Sequence, residues 1–157
     1  MTPRLGLLGA CACGIALSAC ASAPKPRTQE PRPPGTGRVE VTVTGFRTDK
    51  GQALVALFLS AKGWPDDQAL AFGRAVLPIR EGKAVAEFED VPSGPFGVSA
   101  FHDEDVDSVL DTGLFGIPSE DYGFSRDARD TFGPPGFESA RLDLAPGETK
   151  QATIRIE

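Results

Sequence analysis

The sequence has little of the chemistry that most enzymes use. Its three cysteines, Cys11, Cys13 and Cys20, all precede residue 21, and His102 is its single histidine. The rest of the chain therefore forms no disulfide framework and lacks the nitrogen and sulfur donors of the usual zinc sites. It also contains no GxSxG motif, phosphate-binding loop or dinucleotide fingerprint. After residue 20 the stability of the chain must therefore come from an apolar core, and thiol chemistry is excluded in that part of the chain.

The sequence also lacks a surplus of positive charge. It has 16 Lys and Arg residues against 22 Asp and Glu residues, a formal net charge of -6. Nucleic acid is not an expected partner, because phosphate backbones are bound by basic surfaces. Cations or cationic surfaces suit this composition better.

The first twenty residues resemble a lipoprotein signal. Arg4 and an apolar run over residues 5–17 precede the tetrapeptide LSAC, which ends at Cys20. The run is too short to span a bilayer as a helix and is typical of a secretory signal. LSAC resembles the bacterial lipobox, in which small residues admit the peptidase and the cysteine thiol carries a diacylglycerol. We predict a lipoprotein signal peptide over residues 1–19 and lipidation at Cys20; the alternative is an ordinary signal peptide that contains cysteines.

A proline-rich segment follows Cys20. Residues 21–37, ASAPKPRTQEPRPPGTG, offer little to bury, so we predict an extended tether with a reach of about 50 Å in the polyproline form. Ala21 stands where many lipoproteins retained in the inner membrane have Asp, and this resemblance favours the outer membrane. The predicted organisation is the signal peptide (1–19), lipidated Cys20 with its Pro-rich tether (20–37) and one domain (38–157) of ordinary size.

The remaining chain is rich in strand signals and poor in helix signals. RVEVTVTGF places Val39, Val41 and Val43 on one face, the period-2 pattern of a half-buried strand. ALVALFLS is apolar on both faces, as in a central covered strand. Further candidates, separated by Gly and Pro turns, are GRAVLPIR, residues 84–88, FGVSAF, ARLDL and TIRI. The pattern predicts an all-β, antiparallel β-sandwich of immunoglobulin or prealbumin type with about seven strands, with a closed barrel as the alternative.

A row of aspartates follows the FGVSAF strand. Asp103, Asp105, Asp107 and Asp111 fall at positions 1, 3, 5 and 9 of a calcium loop, and Val109 falls at position 7, where a backbone carbonyl serves. So many like charges in one turn are costly unless a cation lies among them. The spacing therefore predicts a calcium site; a solvated acidic turn is the alternative.

Two positions depart from the calcium-loop pattern. Ser108 occupies position 6, where Gly is preferred because φ is positive there, and Leu114 occupies position 12 in place of a bidentate Glu. A ligand from elsewhere must complete the site. Glu120 and Asp121, in the following loop, are the nearest candidates, and we predict Glu120 as the metal ligand.

The segment that contains these residues resembles a known family. The strings FHDEDVDSVLDTGLFGIPSEDYGFSRDA and FGPPGFESA are close to the pattern FHDENGNGKLDTNFFGIPxEGYGFSNNA followed by FGPPxFxxA, which is typical of bacterial domain of unknown function family 2141. The resemblance extends over about residues 39–157 and implies no particular reaction. This chain differs from the pattern in having extra carboxylates at Asp105 and Asp107 and in lacking a glycine at Ser108.

Aromatic residues alternate with glycines over residues 113–137, and a loop of this length is usually functional or folded on itself. One interpretation is a groove for a glycan, a peptide or a small apolar ligand. The other is a local mini-core that covers one end of the sandwich. The candidate groove residues are Phe115, Tyr122, Phe124, Arg126, Arg129 and Phe132.

These observations favour a binding or structural module over an enzyme. Strand alternation directs Asp103 away from His102, so a structural histidine is expected rather than a general base. We predict a calcium-stabilised lipoprotein of the cell envelope, placed in the outer membrane by its lipid anchor, with an envelope glycan or protein as its partner. The alternative is a metal-dependent hydrolase that uses the acidic loop.

Overall fold

The structure, a computed structural model, describes residues 33–113 and 118–157. The predicted signal peptide and the lipidation site at Cys20 lie outside the described residues, as do Leu114 and Phe115. Within the described ranges, no helix is long and apolar enough to cross a membrane.

Eight strands form the framework of the part of the domain that the structure describes. In chain order they are β1 (Thr36–Thr44), β2 (Gln52–Phe58), β3 (Gly73–Pro78), β4 (Lys83–Pro92), β5 (Gly94–Asp103), β6 (Tyr122–Phe124), β7 (Leu142–Leu144) and β8 (Thr149–Arg155). The helical parts are short: a four-residue helix α1 (Phe137–Ala140) and two 3-10 turns, Gln68–Leu70 and Ser125–Asp127.

The strands form two sheets. One sheet has the order β4-β1-β8, and the other has the order β3-β2-β5-β6, with β7 paired to β5. The predicted all-β sandwich is confirmed, and the sheets share no strand, so the fold is not a single closed barrel. One pairing departs from the antiparallel prediction, because β1 and β8 run parallel, with Val41 opposite Ala152. Alternating apolar residues show that a strand is half-buried but not which way its neighbour runs.

The core lies between the two sheets. Val39, Val41 and Val43 of β1 are fully buried, as their alternation predicted. The opposing sheet contributes Phe96 and Val98 of β5, which are also fully buried. Burial of such side chains stabilises the fold by about 1.5–3 kcal/mol each relative to leaving them exposed.

Strand β2 is covered on both faces, as its continuous apolar run predicted. Its outward residues Ala56 and Phe58 pack against Trp64 and Phe137. The Trp64 indole is held in place by a hydrogen bond from Nε1 to the carbonyl of Pro135, at 2.8 Å. The outer face of the second sheet therefore carries an aromatic layer, and the long connection after β5 supplies part of it.

Candidate functional site

Asp103, the last residue of β5, organises the acidic loop. Its buried carboxylate accepts hydrogen bonds from the amides of Val106, Asp107 and Ser108 at 2.7, 3.2 and 2.9 Å. A fourth bond comes from the Gln52 side chain of β2, at 2.7 Å. Burial raises the pKa of Asp103, but these hydrogen bonds outweigh it and hold the pKa below its usual value. The loop is therefore folded around a charged Asp103.

Two residues of the loop adopt left-handed backbone angles. Ser108 has a φ of 66°, the positive value that the calcium-loop pattern requires at this position, and Val106 has a φ of 68°. Such angles are unfavourable for residues with a side chain and most of all for a β-branched one. The hydrogen bonds from both amides to Asp103 offset this strain.

Glu120 connects the two ends of the loop. Its carboxylate accepts the amide of Glu104 at 2.9 Å and the amide of Asp111 at 3.0 Å. Asp121, the other candidate for a replacement ligand, instead forms a bidentate ion pair with Arg47, with both N–O distances at 2.6 Å. Of the two acids after the loop, Glu120 is the one that lies against it.

Three carboxylates converge at this end of the sandwich. Asp103, Asp105 and Glu120 each place one oxygen within 4.8 Å of the other two. Oxygen donors of this kind are what Ca²⁺ prefers. Burial, followed by the charges of Asp107 and Asp111, raises the pKa of Asp105. The centre therefore has a local excess of negative charge that a cation would relieve.

Asp107 and Asp111, the other predicted side-chain ligands, lie around this centre and outside the converging set. Asp107 and Asp111 are close enough to act on the pKa of Asp105, but they are not in the converging set. The Asp107 carboxylate accepts the amide of Val109 at 2.7 Å, and Val109 is 59% exposed. The structure thus brings together Asp103 and Asp105 from the row and Glu120 from the following loop.

Asp103 has a second consequence for metal binding. A carboxylate offers about four lone-pair sites, and the four hydrogen bonds to Asp103 use all of them. A cation at this centre must replace at least one of these bonds. The donor set fits calcium, and the loop amides would compete with such an ion for Asp103.

His102 is a structural residue. Its ring is fully buried, on the face of β5 opposite to Asp103. Nε2 lies 2.7 Å from the carbonyl of Lys50, and the ring packs edge-on against Phe46 at 5.2 Å. These contacts join β5 to the turn between β1 and β2, and they leave the imidazole inaccessible to a substrate.

Two of the candidate groove residues belong to the aromatic layer. Phe124 is buried, and its ring centroid lies 5.6 Å from both the Tyr122 and the Trp64 rings. Phe137, which was not among the candidates, lies 5.7 Å from Trp64. This part of the long connection packs as a local core.

The other described candidates point in different directions. Phe132 is 94% exposed, and Arg129 is in an ion pair with Glu157 at 2.9 Å. Arg126, at a φ of 62°, is exposed beside the carbonyl of Arg141. The described residues do not line a common cleft, and Phe115 lies outside them.

Sequence reasoning missed two supports of the site. Gln52 is opposite Asp103 in the β2–β5 register and donates to it, and Arg47 holds Asp121 beside the loop. Arg47 lies in the β1–β2 connection and Gln52 begins β2, about fifty residues or more earlier in the chain than their partners. Only the strand register, which the sequence pattern does not show, could have identified them.

A profile of the family described as "Uncharacterized protein conserved in bacteria (DUF2141)" matches residues 41–152. The chain belongs to this family. The match covers the acidic loop and most of the strands, and it confirms the resemblance inferred from the motifs over residues 101–140. The family description assigns no activity, and a comparison with curated proteins gives no match.

Two solved structures are similar over much of the chain. Both are of the pilus-presented adhesin Spy0125 (Cpa), one of them a cysteine-to-alanine mutant. The mutant is 13% identical, with a TM-score of 0.23, and the match covers 77% of this chain and 27% of the adhesin chain. The other is 13% identical, with a TM-score of 0.22 and coverages of 78% and 27%. These scores are too low to carry an argument about function, and the chain spans 27% of the adhesin chains it matches.

Proposed function

We propose that this protein is a lipid-anchored module of the outer membrane of the cell envelope, whose β-sandwich is stabilised by calcium at the acidic loop. It binds or supports an envelope glycan or protein and does not catalyse a reaction. The observation that carries the calcium proposal is the convergence of Asp103, Asp105 and Glu120 within 4.8 Å. The LSAC sequence at Cys20 supports the anchor.

Calcium would act here as a stabiliser of the loop. Bound to Asp103, Asp105 and Glu120, it would supply the positive charge that this end of the sandwich lacks. Asp107 and Asp111 would add to the attraction without contacting the ion, because their charges already act on Asp105. Glu120 also holds the amides of Glu104 and Asp111, so an ion on Glu120 would tie both ends of the loop to one centre.

The competition between loop amides and calcium for the Asp103 carboxylate predicts a low affinity for the ion. Because the ion must displace hydrogen bonds from loop amides, binding should be weaker than in a loop whose first aspartate is free. Extracellular calcium modules work with dissociation constants of about 0.1–1 mM. A constant in this range would suit an envelope protein.

Thermal unfolding with and without calcium tests the proposal. We expect calcium to raise the melting temperature of the natural chain by several degrees, since a ligand at 100 times its Kd adds about 2.7 kcal/mol. Asp105→Asn should lose this rise. In chelator, however, the variant should be at least as stable as the natural chain, because it removes a carboxylate whose pKa is raised by burial and neighbouring charge.

The matched control is Asp66→Asn. Asp66 is exposed and outside the loop, so this variant changes the net charge equally and should keep the response to calcium. Magnesium at the same concentration controls for ionic strength. A natural chain that melts at one temperature in calcium and in chelator would rule out the loop as a calcium site.

A further inference from the structure

A cleft opens between β3 and β4, away from the acidic loop. The two strands are joined by a tight turn, where the backbones of Arg80 and Lys83 form mutual hydrogen bonds of 2.8 and 3.1 Å. Beyond this bridge the strands separate, each into a different sheet. The space between them has a volume of about 290 Å³ and is lined by Leu77, Pro78, Arg80, Lys83, Ala84 and Val85.

Asp49, in the connection between β1 and β2, holds the turn at the narrow end of the cleft. The Asp49 carboxylate accepts the amides of Glu81 and Gly82 at 2.9 and 2.8 Å. Glu81 has a positive φ of 53°, which is unfavourable for a residue with a side chain, and the bonds from Asp49 help to hold the turn in this conformation. The cleft is therefore formed before any partner arrives, which lowers the entropic cost of binding.

Both walls of the cleft are sheet edges. Strand β3 pairs with β2 alone and β4 with β1 alone among the described strands. Edges in soluble proteins are usually protected by charge or proline, and Arg74 and Pro78 serve this purpose in part. Val85, which lines the cleft, is nevertheless 54% exposed, and Val76 of β3 is 56% exposed. The edges thus offer apolar side chains next to backbone groups that no ladder uses.

The cleft is also the basic region of an acidic protein. Residues 73–85 contain Arg74, Arg80 and Lys83 against Glu81, and the Asp49 carboxylate also lies at the turn, so three positive charges stand against two negative ones in a chain of net charge -6. None of the three cations forms a salt bridge with another described residue. Elsewhere Arg38 and Arg47 are paired with carboxylates. The cleft therefore has a small net positive charge, although the chain as a whole is negative.

We propose that the cleft between β3 and β4 binds an extended acidic segment of a partner protein. The segment adds to the β3 edge through its backbone, places apolar side chains in the cleft and sets carboxylates beside Arg74, Arg80 and Lys83. The unused edges favour a peptide, because strand addition draws its affinity from main-chain hydrogen bonds. The volume is near the lower limit of roughly 300 Å³ for small-molecule pockets and suits one or two side chains. The proposal does not depend on the calcium site.

Three labelled peptides test the mode of binding. The full-length chain is titrated, at low salt and in chelator, into the fluorescent hexapeptides EVEVEV, KVKVKV and EVPVEV, and anisotropy is measured. We expect saturable binding of EVEVEV. KVKVKV should bind at least tenfold more weakly because its charge is wrong. EVPVEV should also bind at least tenfold more weakly, because proline removes a backbone donor and does not fit a paired strand.

Charge reversal tests the location. The double variant Arg80→Glu with Lys83→Glu should weaken EVEVEV binding at least tenfold. The control is Lys50→Glu with Lys62→Glu, which changes the net charge equally at exposed positions and should bind within twofold of the natural chain. In the natural chain, backbone amide NMR shifts on peptide addition should be largest at residues 74–77 and 83–85.

Three results would overturn the proposal. Equal binding of all three peptides would mean that binding depends neither on the charge of the peptide nor on strand pairing. NMR shift changes confined to another surface of the natural chain would show that the peptide binds elsewhere. This measurement does not need the charge-reversal variant to fold. A peptide-free chain that sediments as a dimer, and becomes monomeric on charge reversal, would show that a second copy occupies the edge.

Discussion

At the scale of single residues, Asp103 has two roles that oppose one another. Its carboxylate holds three loop amides and the Gln52 side chain, and it is also one of the three converging acids. Without an ion, the hydrogen bonds keep Asp103 charged and the loop folded. With an ion, some of those bonds are exchanged for coordination. The pKa of Asp105 is raised by burial and by the charges of Asp107 and Asp111, so Asp105 is the residue that gains most from a cation.

The first role predicts a pH dependence that is measurable in chelator. The pKa of Asp103 is lowered in the folded chain from its usual 3.8, so the unfolded chain takes up the proton first as pH falls. The stability from Asp103 is therefore fully present above pH 3.8 and is lost as pH falls through the lower, folded pKa. Asp103→Asn should lack this part of the acid sensitivity.

The same variant should be less stable at neutral pH. Asparagine keeps the shape but turns one acceptor into a donor facing backbone amides, which costs about 1–3 kcal/mol. Urea unfolding at pH 7 and at a series of lower pH values measures both effects, with Asp66→Asn as the control. Equal acid sensitivity in Asp103→Asn and in the natural chain would show that Asp103 is not the titrating group.

At the scale of elements, the sequence pattern predicted every described strand except β6, including the three-residue β7 within ARLDL, and it did not predict α1. β1 and β2 were evident because alternation in one and a continuous apolar run in the other extend over seven or more residues. β6, a strand of three residues, and α1, a helix of four, are too short for periodicity to appear. Both form because the connection after β5 packs against the outer face of the second sheet, a tertiary effect that no local pattern encodes.

The candidate site shows the same division between local and distant information. The turn around Asp103, with Ser108 at positive φ, follows from residues within six positions of one another. Glu120 could be proposed because it lies in the next loop. Gln52 could not, because its contact with Asp103 depends on how β2 and β5 align.

The aromatic layer allows a prediction about Trp64 and Phe132, two aromatic residues that both lie in loops. Trp64 touches Phe58, Phe124 and Phe137, whereas Phe132 is 94% exposed. Trp64→Ala should cost about 3 kcal/mol in urea unfolding because it leaves a cavity. Phe132→Ala, the matched control, should change the free energy of unfolding by less than about 0.5 kcal/mol. Similar losses for both variants would contradict the placement of the two rings.

At the scale of the whole molecule, the residues that form the sandwich and the residues behind the proposed membrane location lie in separate parts of the sequence. The family match and both sheets lie within residues 36–155, while the features that indicate the envelope lie before residue 38. No strand of the sandwich needs Cys20. A change at Cys20 should therefore move the protein without unfolding it, which makes the anchor testable independently of calcium and of the cleft.

Cys20→Ser should abolish lipidation, because a hydroxyl cannot form the thioether to a diacylglycerol. Cells that express the natural chain are grown with a labelled fatty acid and fractionated. We expect the natural chain to be labelled and to sediment with membranes, and Cys20→Ser to carry no label. Cys13→Ser, which changes a leader cysteine outside LSAC, is the matched control and should behave as the natural chain does. A labelled Cys20→Ser variant would show that the lipid is attached elsewhere, and an unlabelled natural chain would show that the leader is an ordinary secretory signal.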